Sequence, residues 1–223
     1  MENIVDIAIL ARAPVSGAAK TRLIPAIGPH AASRLHRQMV LRTLRTAYEA
    51  KLGGAVVLWG APDRSHRFFR TLARLGVTCH DQPGGSLGER MRHALDAKHP
   101  RPVLLIGTDC PCMTPGHLRG AAKALLEGHD AVFLPAEDGG YVLIGLRSSA
   151  HHRLFEGISW GSSTVMDETR HRLRAIGYSW AEPATLWDVD NPDDLSRLGA
   201  WDGIPLPASL QALLLPKRLD GRQ

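Results

Sequence analysis

The chain has 223 residues, 44% of them hydrophobic, and a net charge of +5, enough for one well-filled core and a bias toward anionic ligands. Its 27 basic residues, only five of them Lys, are scattered through helical stretches without an aromatic–basic ladder. A small phosphorylated molecule is therefore the expected partner, and nucleic acid is not.

No apolar run approaches the roughly 20 residues that cross a bilayer, so no membrane span is expected. The Met-Glu-Asn start lacks the basic region and apolar core of a secretion signal, and a cytoplasmic location is expected. Cys79, Cys110 and Cys112 lack the two-residue gap of zinc and redox sites and read as free thiols.

Ile4 to Ala11 is β-branched and almost wholly apolar, which marks a central strand. Arg12-Ala-Pro-Val-Ser-Gly-Ala-Ala-Lys-Thr-Arg-Leu23 follows, a loop of small residues that ends in two cations. Lys20-Thr21 fits the end of a phosphate-binding P-loop, but Pro14 and Ala19 stand where that pattern needs glycines. A backbone with free amides followed by Lys20 and Arg22 can still wrap a polyphosphate; a solvated basic loop is the plain alternative. The spacing of Leu35, Met39, Leu44 and Ala47 predicts a helix over about 31–50 with its arginines mostly toward solvent. After Gly53-Gly54, a strand is expected at 55–59, a helix over 65–75 and a short strand over 77–80. This alternation implies a layered α/β domain with parallel pairing. Asp81-Gln-Pro-Gly-Gly-Ser-Leu-Gly88 is a loop able to lie against a flat ring such as a nucleobase, or to serve only as a connection. A helix over 89–98 comes next.

Val103 to Ile106, bounded by Pro102 and Gly107, reads as a strand buried on both faces, with Asp109 at its exit as an unpaired carboxylate. Ligands of open α/β sheets bind at the carboxyl ends of strands. Asp109 is thus placed to hold a metal or a substrate, or else to cap a turn before Pro111. Thr114-Pro115 opens a helix that runs to near Gly128. A strand over 130–135 and an Asp138-Gly turn into a further strand ending at Gly145 follow. Ser162 or Ser163 is expected to cap a helix to about Ile176. The histidines show no metal-ligand spacing.

A late strand begins over 178–180. In Trp187-Asp-Val-Asp-Asn-Pro-Asp-Asp-Leu195, Asn191 and Pro192 open a short helix with Asp193 and Asp194 in its first turn. That leaves Asp188 and Asp190 needing a separate reason. Ionised carboxylates brought about 4 Å from Asp109 would repel it by about 4 kcal/mol at an effective dielectric of 20. A divalent cation turns that penalty into binding, and Mg²⁺ is commonly held by one or two carboxylates plus substrate phosphates. The chain is expected to form one domain over 1–198 and a peripheral, turn-rich tail over 199–223, in which Leu210 to Leu215 offers a docking turn.

Together, Ala11-Arg-Ala-Pro14 with Gly17, Lys20-Thr-Arg-Leu23, Gly88-Glu-Arg-Met91, Gly107-Thr-Asp-Cys-Pro111, Asp138-Gly-Gly-Tyr141, Trp160 and Asp188 to Leu195 resemble the GT-A, or nucleotide-diphospho-sugar transferase, superfamily. Within it the resemblance is greatest to a bacterial family of uncharacterised GT-A-like proteins often labelled glycosyltransferases, and more distant to the guanylyltransferases for molybdopterin and 2-phospholactate. The resemblance implies a single Rossmann-like GT-A domain, with a mostly parallel central sheet and helices on both faces.

It also implies site residues. Ala11, Arg12, Gly17, Lys20, Arg22 and Thr108 would bind nucleotide, with Gln82, Gly85 and Leu87 against the base and ribose. Asp109 and Asp190, with Asp188, would hold Mg²⁺ or Mn²⁺; Lys20, Arg22, Asp109 and Asp190 would carry the catalysis. Asp138, Gly139, Gly140, Tyr141 and Trp160 would face the acceptor. The implied activity is nucleotidyl transfer from an NTP to a small phosphorylated or sugar acceptor. Glycosyl transfer from a nucleotide sugar and a non-catalytic nucleotide-binding domain are the alternatives. Two departures stand out: Arg12-Ala-Pro-Val-Ser-Gly replaces the long glycine-rich start of standard sugar nucleotidyltransferases, and Asn191 stands where relatives often have Thr.

Overall fold

A computed structural model of the protein describes residues 4–97 and 101–198. The expected tail, with its Leu210–Leu215 turn, and the end of the helix expected to reach Lys98 lie outside the described residues.

Among the described residues, seven strands form one sheet: β1 (Val5–Arg12), β2 (Gly53–Ala61), β3 (Thr78–Asp81), β4 (Val103–Ile106), β5 (Ala131–Pro135), β6 (Tyr141–Leu146) and β7 (Trp180–Ala181). Their order is β3-β2-β1-β4-β6-β5-β7. β1 pairs in parallel with both β2 and β4, while β6 runs antiparallel to both β4 and β5. The link between β5 and β6, residues 136–140, is too short for a parallel crossover, so it makes a hairpin and reverses one strand. The sheet is otherwise parallel, as the strand–helix alternation predicts.

Five α-helices among the described residues cover the sheet: α1 (Ile24–Ala50), α2 (Arg67–Arg74), α3 (Leu87–Asp96), α4 (Pro115–Leu126) and α5 (Val165–Ala175). Ile7 and Ile9 of β1 pack with Leu44 of α1, Phe69 of α2 and Leu118 of α4 on one face. Ala8 of the same strand packs with Met91 of α3 and Leu173 of α5 on the other. Helices on both faces explain why β1 and β4 read as nearly unbroken apolar runs.

Strand β2 is two residues longer at each end than expected and β7 lies one to two residues later; three further departures have local causes. Helix α1 begins at Ile24 instead of near 31, because its first turn is joined across a kink at Gly28 (φ 76°) followed by Pro29. Helix α3 starts at Leu87, two residues early, on a Ser86/Glu89 capping box. Neither Ser162 nor Ser163 caps α5; Thr164 holds the N-cap position, without a side-chain bond.

Candidate active site

The carboxyl ends of β1 and β4 open into a cavity of about 670 Å³, where a parallel sheet binds its ligands. Three loops supply its polar wall: the loop after β1 with Lys20 and Arg22, the loop after β4 with Thr108 and Asp109, and the late segment with Asp188 and Asp190. The late segment is fastened to the β4 loop by the Val189 amide, which donates to the Asp109 carbonyl at 2.9 Å. Asp194 shapes its turn, accepting from the Asp190 amide (2.9 Å) and the Asn191 amide (2.7 Å). Acids some 80 residues apart in sequence thereby reach one place.

Lys20 is the pivot. Its ammonium lies 2.8 Å from Asp109 Oδ1 and 3.1 Å from Asp190 Oδ1, and it also donates to the Val189 carbonyl. Its side chain is only 6% exposed, against 42% for Asp109 and 36% for Asp190. Its backbone is left-handed (φ 50°, ψ 47°), a conformation that non-glycine residues seldom adopt and that persists where surroundings over-determine it. Two expectations are corrected here. Asp109 is not unpaired, and Lys20 is not a solvated cation: it bridges the acids. Arg22 is exposed, 3.5 Å from Asp190 Oδ2, and remains turned toward the cavity.

Burial, then the neighbouring Asp138, Asp190 and Asp109, push the Asp188 carboxyl up to about 7. Among the described residues, no group of three or more His, Cys, Asp or Glu side chains is arranged to hold a metal ion. The acids still suit Mg²⁺ or Mn²⁺ in one respect. Asp109, Asp138, Asp188 and Asp190 share the cavity with one buried ammonium, and an ion held mainly by substrate phosphates needs only one or two of them.

Other expected residues divide into lining and support. Ala11, Arg12, Gln82, Leu87, Asp138 and Tyr141 line the cavity. Gln82 is fixed by its amide nitrogen, which donates to the Ala11 and Trp59 carbonyls at 3.1 and 2.9 Å. Gly17, Gly85, Gly139, Gly140 and Trp160 are not on the cavity wall. A Cβ on Gly139 (φ 92°) would stand 1.9 Å from the Ser163 carbonyl oxygen, so this glycine lets the hairpin meet the start of α5. A Cβ on Gly85 would stand 2.4 Å from Glu89 Oε2, the capping-box carboxylate. Gly140 presents its amide to Asp138 Oδ1 at 2.8 Å, and Trp160 packs edge-on against Tyr141. These last residues support the cavity wall near Asp138 and Tyr141 from behind.

Sequence reasoning missed His36, Arg90 and Met91 as lining residues. His36 lies between Leu35 and Met39 on the buried side of α1. A histidine four residues after Ala32 and four before Val40 was the available signal.

The architecture is that of the GT-A type, a nucleotide-utilising transferase fold. The sequence pattern of a bacterial family described as "Uncharacterized protein conserved in bacteria" (DUF2064) matches residues 43–162, and the chain belongs to that family. No curated protein matches the chain. Among solved structures, it is similar to a protein from Desulfovibrio desulfuricans G20 described provisionally as a nucleotide-diphospho-sugar transferase. That similarity has 28% identity and a TM-score of 0.79, and covers 96% of this chain and 97% of the other. The fold is also shared with 4-diphosphocytidyl-2C-methyl-D-erythritol synthase from Anaerococcus prevotii DSM 20548 (11% identity, TM-score 0.59, 89% and 97% covered). A third relative in fold is CMP:2-keto-3-deoxy-manno-octonic acid synthetase complexed with CTP (13% identity, TM-score 0.53, 95% and 100% covered).

Proposed function

We propose that the protein is an Mg²⁺- or Mn²⁺-dependent nucleotidyltransferase that uses an NTP and a small phosphorylated or sugar acceptor. The observation that carries this reading is the meeting of Lys20 with Asp109 and Asp190 in one large cavity at the sheet's mouth. A lysine seated among carboxylates, with Arg22 exposed at the rim of the same cavity, suits a polyphosphate that arrives with a divalent ion and takes over the lysine's partners.

In the proposed reaction an acceptor oxygen attacks the α-phosphorus. The bond from that phosphorus to the bridging oxygen breaks, and pyrophosphate leaves. Arg22, exposed at the rim, offsets charge on the departing phosphates, and Lys20 joins it when the acids are otherwise neutralised. Asp109 and Asp190, with Asp188 behind them, are the groups that would hold the ion, which when bound supplies a Lewis acid on the phosphates. Gln82 and Leu87 border the base and ribose; Tyr141 and Asp138 border the acceptor.

The provisional description of the Desulfovibrio protein favours a second reading, glycosyl transfer from a nucleotide sugar, with nucleoside diphosphate as the leaving group. Incubation with radiolabelled NTPs and nucleotide sugars separates the two. Pyrophosphate release supports the first and nucleoside diphosphate release the second. Tight nucleotide binding without either product supports a binding domain instead.

A further inference from the structure

Cys110 and Cys112 flank Pro111 directly after Asp109, and the chemistry proposed above uses neither thiol. The chain turns at Pro111 and Cys112, with the Met113 amide 3.5 Å from the Cys110 carbonyl. Pro111 holds the second position of this turn, where its fixed φ suits the bend. The turn brings the two cysteines together, and their Sγ atoms lie 3.5 Å apart. Sulfurs of a disulfide are about 2.05 Å apart, so closing the pair takes a movement of about 1.5 Å.

The two thiols differ in setting. Cys110 lines the cavity but is only 7% exposed, and burial pushes its thiol up. Cys112 is half-buried, and its thiol donates to the Trp187 carbonyl at 3.5 Å. Arg197, anchored on Glu137 at 2.7 Å and lying 4.3 Å over the Trp187 ring, is within electrostatic reach of the Cys112 sulfur. A partly exposed sulfur beside a guanidinium is the setting in which cysteines react. Cys79 has no such neighbour. It sits on β3, three strands from β4, with its thiol on the Phe69 carbonyl at 3.8 Å.

We propose that Cys110 and Cys112 form a site of reversible oxidation, at which a peroxide converts the thiol pair into an intrachain disulfide one residue from Asp109. The inference does not depend on the nucleotidyl-transfer reading, because it needs only the turn and the two thiols. The Cys112 sulfur attacks a peroxide oxygen, the O–O bond breaks, and a sulfenic acid and water form. The Cys110 sulfur then attacks the Cys112 sulfur, the S–O bond breaks, and the hydroxyl leaves as a second water with the Cys110 proton. Both sulfurs are oxidised and hydrogen peroxide is reduced to water. A resolving thiol already in contact captures the sulfenic acid ahead of further oxidation. A dithiol such as dithiothreitol reverses the bridge by exchange.

The test uses the full chain, reduced, freed of reductant and treated with hydrogen peroxide, then unfolded, alkylated and weighed by mass spectrometry. Cys79→Ser protein, in which Cys110 and Cys112 are the only thiols, isolates the pair. Before alkylation it should be lighter by two hydrogen atoms than its reduced form. Both alkylatable thiols should be lost, with the crosslink inside the peptide that holds Cys110 and Cys112, and dithiothreitol should restore both. Cys110→Ser removes the resolving sulfur, so its Cys112 should stop at a sulfenic acid that dimedone traps.

Sulfinic or sulfonic acid on Cys112 with Cys110 still a free thiol overturns the proposal. A bridge between two chains, or in wild type a bridge from either cysteine to Cys79, overturns it as well. Wild type carries the same readout as the variants, so the outcome does not depend on how well any substituted chain folds.

Discussion

Replacing Lys20 by Met keeps the unbranched shape and most of the length of the side chain and deletes the charge between Asp109 and Asp190. Both carboxylate oxygens lie about 3 Å from the ammonium, so they can be no more than about 6 Å apart. At an effective dielectric of 20, two unit charges at that distance repel by about 3 kcal/mol. Both acids are partly exposed, so solvent screens the repulsion, and the expected net loss of stability is about 1–3 kcal/mol. For a chain of this size each kcal/mol corresponds to a fall of about 2–4 °C in melting temperature. The assay is urea denaturation of wild type and Lys20→Met, without metal and with Mg²⁺. A divalent ion should restore more stability to Lys20→Met than it adds to wild type, because it meets acids that have lost their counter-ion. Equal midpoints without metal, together with equal responses to Mg²⁺, would refute the reasoning.

Three further outcomes are expected. Asp130 accepts from Arg147 Nη2 (2.6 Å), the Ser179 amide (3.0 Å) and the Ser179 hydroxyl (2.8 Å), and these bonds, Arg147 first, hold its carboxyl down at about 2. A pKa below the unfolded value of about 3.9 gives stability that is complete above that value and lost as pH falls toward 2. Asp130→Asn should therefore cost about 1–2 kcal/mol at neutral pH, discounted for a side chain 30% exposed, and flatten the stability profile between pH 4 and pH 2 in acid titrations followed by circular dichroism. Gly139→Ala drives a methyl group into the Ser163 carbonyl at a positive φ, and should cost more than about 2 kcal/mol in chemical denaturation; a neutral effect would mean that the hairpin and α5 are not in contact. Ser86→Ala removes the acceptor of the Glu89 amide and should cost about 1 kcal/mol in the same assay.

Much of the fold was legible because burial on two faces leaves long apolar strands, as in Ile7 to Ala11 and Val103 to Ile106, and because Thr114-Pro115 is a helix start that local chemistry alone dictates. The reversal of β6 was half visible: the Asp138-Gly turn was readable, its consequence for the sheet was not drawn. The early start of α1 was hidden because Gly28-Pro29 usually ends a helix and here joins two segments.

At the site, the residue types were readable and their pairing was not. Lys20 and Asp109 each had a plausible solitary role, and nothing local in sequence announces that a lysine will bridge residues 89 and 170 positions away. The resemblance implies that Gly139, Gly140 and Trp160 face an acceptor, but nothing local in sequence announces that Gly139 packs on the distant Ser163 or Trp160 on Phe155. His36 was lost among the arginines of α1, since one polar residue on an apolar stripe is faint beside the period of its neighbours.

Crystals of the protein grown with Mn²⁺ and an NTP, with data collected near the manganese absorption edge, test the central claim most directly. The account predicts an anomalous peak beside Asp109 and Asp190, with the nucleotide's phosphates between that peak and Arg22. Nucleotide bound elsewhere, with the Lys20 bridge intact and no manganese in the cavity, would contradict it.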